Sequence, residues 1–303
     1  MISRIIEKAK ELGFMGVGFS VPEKPLFFES FNAWLSNKKY ADMSWMEKNI
    51  ELRQDPTRLL GGCRTIISLA YPYPSQKSYT VDGFSVSRYS QPRKEDYHFR
   101  LKTLCRELVG LIKENFSKSS SRICVDSAPI LERSFAYSSG IGFWGKNNML
   151  VIPGYGSYFY LAEILTSVPL QVPEIDPMES KCGSCTSCID SCPTGALCKP
   201  YDMDASRCLS YLTIESKEVV NSEAGARMDD CFFGCDRCQE VCPFNIVEKS
   251  REIVLPETEE LLQMTDEDFK GAFGSTALAR AGLEKIKSNI SAVKKIIKIE
   301  NVD

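Results

Sequence analysis

The sequence predicts an α+β protein in three parts: a mixed helix-and-strand domain over residues 1–170, a cysteine-rich module over 171–250, and helices over 251–303. Three observations carry that prediction. Apolar periods of helical and strand type alternate through the first half. The run Cys182-Gly-Ser-Cys185-Thr-Ser-Cys188-Ile-Asp-Ser-Cys192-Pro193 has the spacing C-x2-C-x2-C-x3-C-P, by which bacterial ferredoxin-like modules hold iron–sulfur clusters through thiolates. After a shorter copy at Cys235, Cys238, Cys242 and Pro243, apolar residues return at helical spacing.

The elements follow in order. Ile2, Ile5, Ile6, Ala9 and Leu12 mark an amphipathic helix ended by Gly13. Residues 14–20 read as a buried strand, and 27–37 as a helix with Phe28, Phe31 and Leu35 on one face. Residues 45–60 are polar and carry Arg53 and Arg58. Residues 65–71 form an apolar strand stopped by Pro72 and Pro74, and 74–90 read as loop. Leu101, Leu104, Cys105, Leu108, Leu111 and Ile112 define a helix over 97–116. A polar turn at 117–121 leads to a strand at 122–125, which ends at Asp126-Ser-Ala-Pro129 with a helix behind it at 130–138. Apolar segments 149–152 and 158–165 flank Pro153-Gly-Tyr-Gly156 and predict a hairpin. Residues 172–177 read as a linker. Segments 256–273 and 277–299 are helical, the second with Leu283, Ile286, Ile290, Val293 and Ile297 inward and lysines 285, 287, 294, 295 and 298 outward.

Composition narrows the class. The chain has 303 residues, 43% of them hydrophobic and 25% charged, as in a globular protein that buries a core. The N-terminus has no signal-peptide pattern and no apolar run nears the roughly 20 residues a bilayer needs, so a cytoplasmic location without membrane contact is expected. Ten of the 13 cysteines fall between 182 and 242, where a reducing compartment and this spacing favour clusters over disulfides or zinc. The net charge of −3 gives no global attraction to nucleic acid. A local basic stretch holds Arg88, Arg93, Lys94, Arg100, Lys102 and Arg106 among Tyr89, Tyr97 and Phe99. It reads as a solvated helix face, with RNA contact as the alternative.

Two 4Fe–4S clusters need eight thiolates. By the crossover of such runs, Cys182, Cys185, Cys188 and Cys242 would hold one, and Cys192, Cys235 and Cys238 most of the other. Cys198, Cys208 and Cys231 all remain candidates for its fourth ligand. Cys63, Cys105 and Cys124 read as core residues.

The run Val125-Asp126-Ser-Ala-Pro129-Ile-Leu-Glu132-Arg133, with Gly140-Ile-Gly-Phe-Trp-Gly145-Lys-Asn147, resembles the central signature of epoxyqueuosine reductases. Glu163-Ile-Leu-Thr166, Cys208-Leu-Ser-Tyr-Leu-Thr-Ile-Glu215, Gly234-Cys-Asp-Arg-Cys238, Arg53-Gln-Asp-Pro56, Leu59-Leu60-Gly61 and Asp96-Tyr97-His98 extend the likeness from the first helix to about residue 290. The resemblance implies a nitroreductase-like cobalamin domain followed by the two-cluster module. It implies reduction of epoxyqueuosine to queuosine at the wobble position of a tRNA with a GUN anticodon, by a monomer fed from an electron donor the sequence does not name. It places the fourth ligand at Cys208 and leaves Cys231 spare. Corrinoid contacts are expected at Arg53, Tyr97, Asp126, Ile152, Glu163, Ser210 and Asp236, and an RNA contact at Arg133. Many members continue into a HEAT-like extension after a segment like Gly274-Ser-Thr-Ala-Leu-Ala-Arg280, so a truncated extension is expected here.

Deoxygenation needs electrons and a proton for the departing oxygen, and Asp126 is the expected donor. Its ordinary pKa of about 3.9 would have to be raised by burial or negative charge. His98, the one histidine, is read as structural or pocket-lining. The competing readings are a two-cluster electron carrier, which would not need the first 170 residues, and a corrinoid reductive dehalogenase without its usual export signal.

Overall fold

The computed structural model describes residues 1–248 and 250–300, with side chains as far as Lys295. Ile297 and Lys298 of the last helical pattern therefore have side chains outside the described residues. The strands are β1 (Gly16–Ser20), β2 (Thr65–Pro72), β3 (Lys77–Thr80), β4 (Ser85–Val86), β5 (Ser121–Cys124), β6 (Phe143–Trp144), β7 (Leu150–Val151), β8 (Phe159–Thr166), β9 (Leu197–Lys199), β10 (Asp202–Met203), β11 (Cys231–Phe233) and β12 (Arg251–Leu255). The α+β class is borne out.

One sheet has the order β1-β2-β8-β5, antiparallel throughout. Side chains alternate across a strand, so Ile67, Leu69 and Ile164 face the helices Ile2–Glu11 and Tyr97–Asn115 through Ile5, Ala9, Leu101, Cys105, Leu108 and Ile112. Ile66 and Leu165 face the other way with Cys63 and Cys124, against Phe135 of the helix Glu132–Ser138. All three cysteines outside the cluster window are buried, as expected for core residues.

The second sheet, β11-β4-β3-β12, is assembled from distant segments. β3 and β4 form an antiparallel pair, β11 adds to β4 in parallel, and β12 adds to β3 in parallel. Phe84 and Val86 consequently share a core with Phe232, Phe233, Leu255, Ile286, Ile290 and Val293. The stretch expected to be loop at 74–90 thus contributes two strands. Their polar residues hid them, because their burial comes from partners far along the chain.

The expected hairpin of 149–152 with 158–165 is not formed. β7 pairs with β6 instead, and β8 is held on both sides by β2 and β5. The Pro153–Gly156 turn closes on Ile152 itself, with Gly156 N donating to Ile152 O at 2.8 Å and Ile152 N to Gly156 O at 2.9 Å. The helical segment at 256–273 is two helices, Thr258–Gln263 and Asp266–Phe273, broken where Thr265 starts a new capping box. Gly282 then separates a short 3-10 turn, Ala277–Arg280, from the helix Leu283–Glu300. Among the described residues no helix is long and apolar enough to cross a membrane.

Candidate active site

Asp126 stands two residues past the end of β5, with a backbone φ of +55°. A non-glycine residue in that left-handed region is strained and has to be held by its surroundings. Its N–H donates to Glu132 Oε1 at 2.6 Å, and its Oδ2 meets His98 Nε2 at 3.0 Å. The ring's other nitrogen, Nδ1, meets Asp96 Oδ1 at 2.6 Å. Asp96 also caps the helix Tyr97–Asn115 by accepting from His98 N at 2.8 Å. Helix capping and imidazole orientation thus come from one carboxylate.

This arrangement sets the charges. Burial pushes His98 towards its neutral form, but the bonds to Asp126 and Asp96 outweigh it and raise the imidazole to about 9. Crowding by the protein pushes Asp126 up, but His98, Tyr97 and Arg133 outweigh that and hold the carboxyl below its ordinary value. The raised pKa expected of Asp126 as a donor is absent, since His98, Tyr97 and Arg133 outweigh burial. The resident proton sits on His98. The Asp126 side chain is 61% exposed and the His98 side chain 26%, so the carboxylate is the part a substrate can reach.

Tyr97 stacks on Tyr160 at 4.4 Å and on His98 at 4.2 Å. Behind Asp126, the half-buried Glu132 and the fully buried Glu163 bring two carboxyls together. Burial and then the Asp126 charge push Glu132 up to about 8, and burial and then Glu132 push Glu163 well above the usual range. Glu163 is fully buried on β8, opposite Ser68 and Cys124, and neither of its carboxyl oxygens has a well-formed hydrogen bond. Arg53 Nη1 and Tyr158 OH are likewise buried without partners. Arg53 lies 5.8 Å over the Phe31 ring, and burial lowers its pKa.

Other expected contacts are placed less openly. Ile152 is buried in the turn described above. Ser210 is half-buried in the helix Leu209–Ile214. Arg133 is exposed beside Asp126. Asp236 is buried and already engaged, accepting from Arg88 N at 2.8 Å and pairing with Arg88 Nη1 at 3.0 Å. Arg88 also reaches Glu240 Oε1 at 2.6 Å. Arg88 is therefore a buried structural ion and drops out of the basic stretch from 88 to 106, of which Arg93, Lys94 and Arg106 are exposed.

The cysteines gather in two places. Cys182, Cys185, Cys188 and Cys242 line one cavity together with Lys146, Asn147, Pro243 and Phe244. Cys208 lies near Cys192, and both Cys235 and Cys238 lie near Cys208. The Cys208 sulfur also receives backbone N–H groups of Ser210 and Tyr211. Cys231, by contrast, is buried in β11 with its thiol directed at Phe233 O (3.4 Å) and Gly234 O (3.7 Å). Cys198 is exposed.

Two residues tie the cysteine loops to the first domain. Lys146 Nζ donates to Gly183 O at 2.6 Å and Cys185 O at 2.8 Å, while Asn147 Nδ2 donates to Cys238 O at 3.2 Å. A third fastening joins Ser157 to Asn245, with Ser157 N donating to Asn245 Oδ1 at 2.6 Å and Asn245 Nδ2 donating to Ser157 Oγ at 3.0 Å. The sequence reads His98 as structural or pocket-lining without foreseeing its bonds to Asp96 and Asp126, and assigns no contact to Glu132, Lys146, Asn147 or Asn245. Only His98 carried a signal, the cap spacing Asp96-Tyr-His.

Paired thiolate sites joined to a domain with a carboxyl pair and an imidazole–carboxylate couple define an oxidoreductase on a double iron–sulfur module. Residues 181–245 match the model of the 4Fe-4S double cluster binding domain, and residues 53–127 match that of epoxyqueuosine reductase QueG. An epoxyqueuosine reductase of Leadbetterella byssophila is 34% identical over 95% of this chain and 96% of its own length. A solved epoxyqueuosine reductase holding an epoxyqueuosine-modified tRNA-Tyr stem loop superposes with a TM-score of 0.84 at 31% identity, covering 98% of this chain and 81% of that one. One from Bacillus subtilis, with its aspartate-bearing catalytic loop swung out of the active site, gives 0.82 at 30% identity over 98% and 82%. The chain belongs to the epoxyqueuosine reductase family, oxidoreductases that act on tRNA.

Proposed function

We propose that this protein reduces epoxyqueuosine to queuosine at the wobble position of tRNA, using cobalamin and two 4Fe–4S clusters. The observation that carries the reading is the likeness, along 98% of the chain, to an epoxyqueuosine reductase solved with its modified stem loop. It favours a reductase over a plain electron carrier. No observation favours the dehalogenase alternative.

Loss of the epoxide oxygen as water takes two electrons and two protons. The residues present fit the proposed cofactors. Arg53 and Tyr158 offer buried polar atoms without partners, hydrogen-bonding capacity suited to a macrocycle with a polar rim, and Glu163, beside Glu132, is the proposed buried carboxyl of the same surroundings. Tyr97, Ile152, Ser210 and Asp236 complete the proposed corrinoid surroundings, Asp236 serving through the loop it holds against Arg88. When bound, cobalamin supplies the low-valent cobalt chemistry that opens the epoxide. Cys182, Cys185, Cys188 and Cys242 are the proposed ligands of one cluster, and Cys192, Cys208, Cys235 and Cys238 of the other. Cys231, turned towards backbone carbonyls, is left out.

The chain's own part is the proton. Asp126 presents the exposed carboxylate and His98 holds the proton behind it at 3.0 Å. The pair acts as one unit: one proton moves from His98 through the Asp126 carboxylate to the departing oxygen, and solvent supplies the second proton that completes water and the one that restores His98. Arg133, exposed next to Asp126, is the proposed contact to RNA. The electron donor feeds the clusters from outside the chain.

The test is an anticodon stem loop carrying epoxyqueuosine, incubated anaerobically with the cobalamin-loaded protein and a reductant. Queuosine in the nucleoside digest is expected, and unchanged epoxyqueuosine in the presence of intact cluster and cobalamin absorbance would overturn the reading.

A further inference from the structure

The Asp126 loop is held by a residue that the proposed chemistry does not itself use. Residues 126–131 carry little regular structure: Ser127 N bonds back to Val125 O at 2.6 Å, Ile130 N to Ala128 O at 2.8 Å, and Asp126 itself has φ of +55°. A strained residue on such a loop needs an outside partner to hold one conformation. That partner is the Glu132 side chain, which reaches back from the first turn of the helix Glu132–Ser138 to accept the Asp126 N–H at 2.6 Å.

Glu132 is in turn seated on the sheet. Phe135, one turn along, packs against Ile66, Cys124 and Leu165, and the Glu132 carboxyl lies close enough to Glu163 for each to perturb the other, Glu163 being fully buried on β8 between Ser68 and Cys124. Two carboxyls this close, one of them fully buried, do not both ionise freely. The acceptor for Asp126 is thus backed from below by a strand of the sheet. Removing Glu132 leaves the Asp126 N–H without its acceptor, and the loop loses the bond that opposes its strain.

We propose that Glu132, seated on Glu163, is a positioning residue that latches the 126–131 loop by accepting the Asp126 N–H and so keeps the Asp126 carboxylate against His98. This rests on the reading of Asp126 under the proposed function and adds what holds it in place.

Amide hydrogen exchange on the holoenzyme, resolved to Asp126 by fragmentation of the peptide spanning residues 125–131, tests the latch directly. In the wild type the Asp126 amide should exchange at least roughly 10-fold more slowly than its intrinsic rate, the protection a hydrogen bond to a carboxyl gives. An unprotected wild-type amide would overturn the proposal whatever any variant does. Glu132→Gln keeps an acceptor oxygen and should retain protection. Glu132→Met keeps the bulk and should lose it, with kcat falling by about 10-fold or more while KM for the stem loop and the cobalamin and cluster absorbance stay unchanged. Full protection in Glu132→Met would also overturn it. If the wild type shows no epoxyqueuosine reduction, the function falls while the exchange measurement still decides the latch.

Discussion

His98 lies between two carboxylates, Asp96 at 2.6 Å and Asp126 at 3.0 Å, and its imidazole is raised from the ordinary 6.5 to about 9. A group whose folded value is raised contributes stability in full below its unfolded value, and that contribution is lost as pH rises through the folded one. The stability that these ion pairs contribute should therefore be full below about 6.5 and fall away between about 6.5 and 9. The kcat measured against pH should fall through about 9 in the wild type, as the proton behind Asp126 is lost. His98→Gln should be slower throughout and lack that limb. An alkaline limb that survives in His98→Gln would sink the assignment. Asp126→Asn should bind cobalamin and stem loop yet lose roughly 10²–10⁴-fold in turnover, the usual share of a proton-transfer group; full activity in that variant would remove Asp126 from the mechanism. Asp126 itself was legible only through the family resemblance, its strand end before Pro129 being equally a turn or helix cap. Its charge state was not, because the partner that sets it lies 28 positions earlier in the sequence.

Short elements in this protein are fixed by a few polar bonds to other elements rather than by their own length. The helix Arg237–Glu240 is only 4 residues long, and its approach to the first domain is set by Arg88, which joins Asp236 and Glu240 with 3% of its own side chain exposed. Breaking a buried ion pair by removing one partner strands the other charge. Arg88→Met should thus cost on the order of 3–5 kcal/mol, read as a lower midpoint in denaturant unfolding; an unchanged midpoint would mean that Asp236 and Glu240 find water instead. The turn at 153–156 makes the matching contact on the other side. Gly156 has φ of +90°, and a Cβ there would stand 2.0 Å from Asn245 Oδ1 and 2.9 Å from Phe244 O. Gly156→Ala should then push the loop carrying Cys242 off the turn, with backbone strain of roughly 1–2 kcal/mol besides the clash. The measurement is iron content after anaerobic purification, expected to drop while secondary structure by circular dichroism is retained. The sequence marked Gly156 as a turn residue, but a turn is all that its own neighbours could indicate.

At the scale of the whole molecule, the cysteine module and the first domain are one folding problem. The cysteine spacing alone located both cluster runs, since a run's ligands lie within a dozen residues of one another. The second sheet was invisible for the opposite reason: β11 and β12 find their neighbours β4 and β3 about 145 to 175 positions earlier. Phe232 and Phe233, both fully buried, pack into a core that includes Phe84 and Val86. Both faces of β11 are covered, which a fragment beginning at residue 171 could not achieve without exposing those aromatic rings and the ladder edge that β4 satisfies. Buried aromatic side chains of this kind contribute about 3–5 kcal/mol each, a large fraction of the 5–15 kcal/mol by which a domain is stable. Residues 171–250 expressed alone should therefore fail to form a protease-resistant, two-cluster module even when reconstituted anaerobically with iron and sulfide, whereas the 303-residue chain should take up both clusters. Co-expression with residues 1–170 should restore part of the uptake, because that fragment brings the missing strands. A fragment that binds two clusters by itself with the full chain's absorbance would show that the thiolates, rather than the shared sheet, organise the module.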